Sequence, residues 1–209
     1  RSNVEVVTDA VLRIEADGVV TADGIKHPAD CLIFGTGFQA TDPLPRDCII
    51  GRGGIDLMEA WRDGAHAYKG TTVPGYPNLF LIVGPNTGLG HNSMILMIEA
   101  QVTYILDALQ QMRRQQIATV EVKPAVESAY NQQIQAKLQR TIWNTGGCRS
   151  WYLDPRTGKN TTLWPGSTWR FKQVTRQFAL RDYQVTPLLT GATPRPVAPP
   201  HATAEGSLS

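Results

Sequence analysis

Apolar positions along this chain fall into three patterns, and each predicts a different kind of element. Over residues 1–34, short runs (Val11-Leu12-Arg13-Ile14, Gly18-Val19-Val20 and Ile25) are separated by Ala16-Asp17-Gly18 and Ala22-Asp23-Gly24. Asp-Gly between apolar runs predicts hairpins, because the turn needs positive φ values that glycine tolerates. Cys31-Leu32-Ile33-Phe34 and Leu79–Val83 are instead continuous. Such runs predict strands buried on both faces. Farther on, Ile95, Ile98, Val102, Ile105, Leu109 and Met112 recur at spacings of three and four. This predicts one apolar face on a helix over about 92–114, with Glu99 and Gln101 off that face. After a short strand at Thr119–Val122, Pro124 suits a first helical position. The second helix runs to about Arg140, with Val126, Tyr130, Ile134 and Leu138 on one side. A short helical piece is expected near Leu57–Arg62 in the glycine-rich stretch 46–75.

The stretch that carries most chemistry joins the second apolar run to the long helix: Gly84-Pro85-Asn86-Thr87-Gly88-Leu89-Gly90-His91-Asn92-Ser93-Met94. A glycine-rich turn delivered to a helix N-terminus presents backbone N–H groups with no partner inside the helix. An electron-rich ligand group can satisfy them. The plainer reading is a tight turn that starts a packed helix. A second glycine motif, Gly35-Thr36-Gly37-Phe38-Gln39-Ala40, formally matches G-x-G-x-x-G/A. That fingerprint works only if a helix begins there, and Pro43 and Pro45 disfavour one. It reads better as a strand end turning against a neighbouring cofactor than as a phosphate cradle. Between Trp143 and Phe171 the chain is loop-rich and holds Trp143, Trp151, Trp164 and Trp169. Aromatic residues among glycines suit a lid over a planar ligand or a buried cluster that holds loops together; the residues alone favour the cluster. From Pro187 the chain is Pro-, Ala-, Thr- and Ser-rich and is expected to be a disordered tail, 187–209.

Composition narrows the class. The chain has 209 residues, 42% hydrophobic, enough for one sizeable core and a smaller lobe. A net charge of +2 with no basic run gives no case for nucleic acid. The apolar runs are too short to span a membrane. Cys31, Cys48 and Cys148 are odd in number and widely spaced, which suits a reduced, cytoplasmic protein. No Cys/His set has metal-ligand spacing, and the G-x-S-x-G elbow of a Ser–His–Asp hydrolase is absent. His91 beside the turn could tune a proton transfer or simply satisfy a carbonyl; the structural role is the commoner one.

Four segments in register resemble the C-terminal half of flavin-containing monooxygenases, especially the Baeyer–Villiger group. They are Asp30-Cys31-Leu32-Ile33-Phe34-Gly35-Thr36-Gly37-Phe38, which looks like a D-x-x-x-x-A-T-G-F/Y hinge with Gly35 for alanine; Gly54–Trp61 with Gly70–Gly75; Tyr76–Met94; and Cys148–Tyr152 with Gly158-Lys159-Asn160 and Trp164-Pro165-Gly166. The resemblance implies an α/β fold, the C-terminal half of a flavoprotein with two dinucleotide-binding domains. The chain has neither of the family's two helix-opening dinucleotide fingerprints, nor the F-x-G-x-x-x-H-x-x-x-W/Y signature between them. It is therefore expected to be incomplete without the N-terminal Rossmann segments. Residues 1–38 would close the NADP-binding domain and cross over. Residues 39–186 would complete the FAD-binding domain and carry the substrate/NADP loop.

The implied chemistry is NADPH reduction of FAD, capture of molecular oxygen as a peroxyflavin, and oxygen transfer to a small ketone, sulfide or amine. The cofactor does the hard step, and no side chain here need be an acid or base. By motif, Gly84, Pro85, Asn86, Gly90, His91, Asn92, Ser93 and Met94 would lie along the flavin ring, with Thr36 and Gly37 nearby. Trp151 would stand near the nicotinamide cofactor, and Lys159 could neutralise a phosphate. The missing half would be required for activity. The alternative is a non-catalytic remnant that survives as a binding or interaction module.

Overall fold

The computed structural model describes residues 1–35, 44–147 and 150–188, and the chain divides into two compact units, Arg1–Phe38 and Gln39–Ser209. In the first unit, β1 (Val11–Glu15), β2 (Gly18–Thr21) and β3 (Lys26–Pro28) form an antiparallel meander in that order. The Ala22-Asp23-Gly24 turn forms as its residues demand. Gly24 sits at φ +82, and the Asp23 carboxylate accepts the Ile25 N–H (3.1 Å) and the Thr21 hydroxyl (2.6 Å). Glycine is required at Gly18 for another reason: a Cβ there would lie 2.3 Å from the His27 carbonyl oxygen on β3.

The run Cys31–Phe34 does not become a buried strand. It is unassigned, and Ile33 is 94% exposed. A continuous apolar run is buried only where strands pair on its edges and layers cover both faces. Among the described residues of this unit, no strand pairs with it.

The second unit is built around α2 (Met94–Arg114). Shorter helices surround it: α1 (Leu57–Ala60), α3 (Pro124–Leu138), α4 (Ile142–Thr145) and α5 (Thr168–Val174). A two-stranded antiparallel ribbon pairs β4 (Ile117–Val122) with β5 (Tyr183–Pro187). Pro187 thus ends a strand rather than opening a tail, and the Leu188 N–H donates to the Gln116 carbonyl (2.6 Å). Ser93 caps α2 by accepting from the Ile95 N–H, and Arg113 and Arg114 sit in its last turn, where the helix dipole favours cations. Pro124 opens α3 as expected, and Ile134 and Leu138 are buried on its inner face.

Three apolar clusters make the core. Tyr104 and Ala108 of α2 pack with Val120, Val122, Phe178 and Tyr183. Met97 and Ala100 pack with Ile134, Leu138, Leu163, Trp164 and Phe171. Leu57, Trp61, Ala67, Val73 and Tyr76 form the third.

The buried face of α2 differs from the face its branched aliphatics mark. Met97, Ala100, Gln101, Tyr104 and Ala108 are inside. Ile95, Val102 and Leu109 are exposed, Ile95 to 64%. Alanines at 100 and 108 let neighbouring elements approach the helix closely, and Tyr104 fills the space between them.

Candidate functional site

The segment Leu79–Val83 also fails to form a strand. It runs from an anchor at Asn78, whose N–H donates to the Val120 carbonyl (3.0 Å) while its side-chain oxygen accepts the Val120 N–H (2.9 Å). The Leu81 N–H donates to the Thr71 carbonyl (2.8 Å), and Ile82 and Val83 stay exposed. At Val83 the backbone takes φ +58, a left-handed value rare for a β-branched residue. The glycine turn begins there.

That turn is stitched to two other segments. The Thr87 hydroxyl donates to the Gly84 carbonyl (2.6 Å). The Asn86 N–H donates to Thr161 (2.9 Å), and the Gly88 N–H to Thr162 (2.8 Å). Trp164 returns a bond to the Gly88 carbonyl (2.9 Å). The buried Asn86 amide donates to the Asn160 and Leu163 carbonyls (2.7 and 3.1 Å), which fixes its orientation and leaves Oδ1 buried with no hydrogen-bond partner among the described residues. Asn160 is buried too, and its side-chain oxygen accepts from Leu163 N–H (3.0 Å). The Gly70 loop closes the other side. A Cβ on Gly84 would lie 2.3 Å from the Gly70 carbonyl oxygen, and a Cβ on Gly88 would lie 2.8 Å from that of Thr162. The chain's own backbone therefore already occupies the space these two glycines open.

Beside the turn lies a cavity of about 290 Å³, walled by Leu44, Trp61, Leu81–Pro85, Thr87, Gly88, Thr161 and Thr162. Its wall is apolar and aromatic with a few hydroxyls and backbone groups, the usual make-up of a small-molecule site. Gly84 and Pro85 line it; Asn86 stands behind it, buried. At the α2 N-terminus His91, Asn92 and Ser93 are exposed. The Ser93 N–H is already taken by the Asn92 side chain (2.8 Å), and Met94 packs into the core against the Met97 cluster.

Gly90 meets an indole: a Cβ there would lie 2.9 Å from Trp143. Trp143 stands edge-on to Tyr152 (ring centroids 5.2 Å apart), and Tyr152 lies against Trp151 (4.2 Å). Gly90 and Trp151, 61 positions apart, are thus ends of one aromatic stack, and Trp151 is 60% exposed. Trp164 is buried, while Trp143 and Trp169 are exposed, so the tryptophans do not form one buried cluster. Lys159 sits at the end of a hairpin braced by Asp154, and its ammonium donates to the Asp63 carbonyl (3.2 Å). The buried Asp154 carboxylate is held below the usual carboxylate range by its hydrogen bonds from Arg156. Thr36 and Gly37 lie outside the described residues, as do Cys148 and Arg149.

Behind the site, Lys69 is buried with its ammonium over the rings of Tyr104 (4.6 Å) and Tyr68 (5.0 Å). Burial pulls it down to about 8, against the opposing charge of Asp182. Thr161 and Thr162 line the site without having stood out in the sequence, while Trp61 and Asn160 entered it only as members of the resembling segments. Gln101 left one trace there, as a polar residue off the predicted apolar face of the helix.

The chain strongly matches a segment of Baeyer–Villiger-type flavoprotein monooxygenases. It is 51% identical over 185 residues to a Baeyer-Villiger monooxygenase of Pseudomonas aeruginosa, covering 88% of this chain and 35% of that protein. To a Baeyer-Villiger monooxygenase of Streptomyces coelicolor it is 44% identical over 186 residues, 88% of this chain and 36% of the relative. In three dimensions it superposes on cyclohexanone monooxygenase from Rhodococcus sp. Phi1 bound to NADP+ with a TM-score of 0.72 at 26% identity, over 86% of this chain and 34% of that one. The chain spans about a third of the length of the curated relatives it matches. No family model matches it.

Proposed function

We propose that this chain is the flavin-site part of an FAD- and NADPH-dependent monooxygenase of the Baeyer–Villiger type, inactive without the remaining part of the protein. The observation that carries the reading is the turn Val83–Gly88, fixed in shape beside an apolar cavity and leading into the N-terminus of α2. The residues suit a planar, electron-rich ring. Trp61, Leu81 and Pro85 offer apolar walls, and Thr87, Thr161 and Thr162 add hydroxyls and backbone groups. The exposed Asn92 and Ser93 put polar groups at the positive end of a 21-residue helix. Gly84 and Pro85 of the cavity wall and the exposed Gly90, His91, Asn92 and Ser93 would hold the flavin side, with Thr36 and Gly37, and Asn86 and Met94 would support them from the core. Trp151, on its exposed aromatic stack, would face the nicotinamide cofactor with Lys159.

Bound FAD, reduced by NADPH, supplies the activation of molecular oxygen toward a ketone, sulfide or amine. The chain's own part is to orient the ring, keep water from it and favour negative charge at the helix terminus. The exposed run Cys31–Phe34, the exposed pair Ile82 and Val83 and the outer face of α2 support the incompleteness, because they have the composition of covered elements. Expression of the intact reading frame tests the reading. A yellow protein that oxidises NADPH in the presence of a ketone or sulfide is expected, with this chain alone colourless. A folded, full-length protein that stays colourless with added FAD would refute it.

A further inference from the structure

Gln101 is the polar exception on the buried face of α2. It is 0% exposed, flanked inside by Met97, Ala100 and Tyr104, and both ends of its amide are used. Its oxygen accepts the Val83 N–H (2.9 Å). Its nitrogen donates to the Gly70 carbonyl (2.9 Å) and the Thr71 hydroxyl (3.1 Å), with a longer approach to the Leu81 carbonyl (3.4 Å). The Thr71 hydroxyl donates onward to the Lys69 carbonyl (3.0 Å), so its oxygen is free to accept. These partners admit one orientation only, since a flipped amide would set oxygen against the Gly70 carbonyl and N–H against N–H.

We propose that Gln101 is a positioning residue that holds Val83 in its left-handed conformation and so shapes the cavity wall that takes the flavin ring. Val83 at φ +58 needs support from outside its own backbone, because β-branched residues avoid that region. Gln101 supplies it from a rigid helix, at the residue that opens the glycine turn. The same amide grips the Gly70 carbonyl, the atom against which Gly84 packs, so one side chain fixes both sides of the contact. A hydrocarbon of equal length would fill the space yet leave the Val83 N–H and Gly70 carbonyl without their partner.

The inference rests on the flavin reading of this cavity, and its test separates the two. In the protein encoded by the intact reading frame, Gln101→Met removes both functions of the amide, whereas Gln101→Glu keeps an acceptor for Val83 and loses the donors. Amide hydrogen exchange is followed at Val83–Gly88 and, as an internal control, at Val120 and Val122, with FAD affinity measured on the same samples. In the methionine variant, exchange at Val83 should quicken about tenfold or more while Val120 and Val122 hold. FAD should bind about tenfold more weakly, and the glutamate variant, which sets a buried carboxylate oxygen against the Gly70 and Leu81 carbonyls, should lose at least as much. Unchanged exchange at Val83, an equal rise at Val120 and Val122, or a loosened turn with unaltered FAD affinity would each overturn the proposal. A wild-type protein that binds no FAD would overturn the flavin reading itself, and with it the ring-seating part of this proposal; the exchange data would still decide whether Gln101 sets the turn.

Discussion

The two faces of α2 carry opposite lessons about burial. The outer face bears the aliphatic residues (Ile95, Val102, Leu106, Leu109), and all four are exposed. The inner face bears Met97, Ala100, Gln101, Tyr104 and Ala108, and every one is buried. By hydrophobicity alone the assignment should be reversed. What decides it is fit: small residues admit close neighbours, one tyrosine fills the gap, and one glutamine bonds the Val83 N–H and the Gly70 carbonyl. The outer face, with the composition of a core and exposed among the described residues, is the kind of apolar patch that marks an interaction surface.

The largest effect that tests this comparison is on the inner face. Tyr104→Ala removes a fully buried ring and its hydroxyl bond to Tyr183 (2.8 Å), and should destabilise the chain by about 3–5 kcal/mol in urea unfolding. A loss under about 1 kcal/mol would mean that the inner face does not hold the unit together, since ring deletions in cores cost more.

Lys69, packed on that same tyrosine, gives the next effect. The unfolded chain holds this proton up to the ordinary value of 10.5, while the folded chain releases it near 8. Between those values the unfolded state binds more protons, so stability should rise with pH, by roughly 1–3 kcal/mol from pH 8 to 10. Tyr68, Tyr104, Tyr130 and Tyr183 are all held up by burial, so the unfolded chain ionises them first and stability begins to fall as pH nears their ordinary value of 10.0, which offsets part of the rise at its upper end. Lys69→Met should flatten the rise; a rise of the same size in that variant would assign it elsewhere.

The outer face should respond least in this chain and more in a covered one. Leu106→Gln with Leu109→Gln should alter unfolding of this chain by no more than about 0.5 kcal/mol. In the protein from the intact reading frame the pair should cost several times as much, as expected for residues buried under another element. Equal effects in both would mean that this face is a solvent surface. Smallest of all, Gly90→Ala should displace the Trp143 ring with a loss of under about 1 kcal/mol, seen as a red shift of tryptophan emission. An unshifted spectrum would show that the ring does not rest on Gly90.

Much of the framework was legible from residue order. The Asp-Gly turns, the Pro124 start of α3, its Ile134/Leu138 face and the length of α2 all follow from local chemistry that acts within a few residues. The same reasoning misplaced the buried face of α2 and made strands of Cys31–Phe34 and Leu79–Val83. Periodicity registers how apolar a position is, and carries no information on whether a partner stands opposite. The turn at Gly84–Ser93 could be picked out, but not the parts that shape it. Asn160–Thr162 lies more than 70 residues away, and nothing local marks Gln101 as the acceptor for Val83.

Residue order alone placed α2, α3 and the Asp-Gly hairpins, the glycine turn at the head of α2, and the resemblance that pointed to flavin chemistry, whereas α4 and α5 lie largely in the stretch read as loop. Folding settled the rest: which face of α2 is inside, that Gly84 and Gly88 make room for the chain's own backbone, and that Val83 stands left-handed with Gln101 bonded to its N–H. The physical reason is range. Caps, turns and periodicity are satisfied within a few residues, whereas close packing and buried hydrogen bonds are met by whichever distant segment the fold brings near.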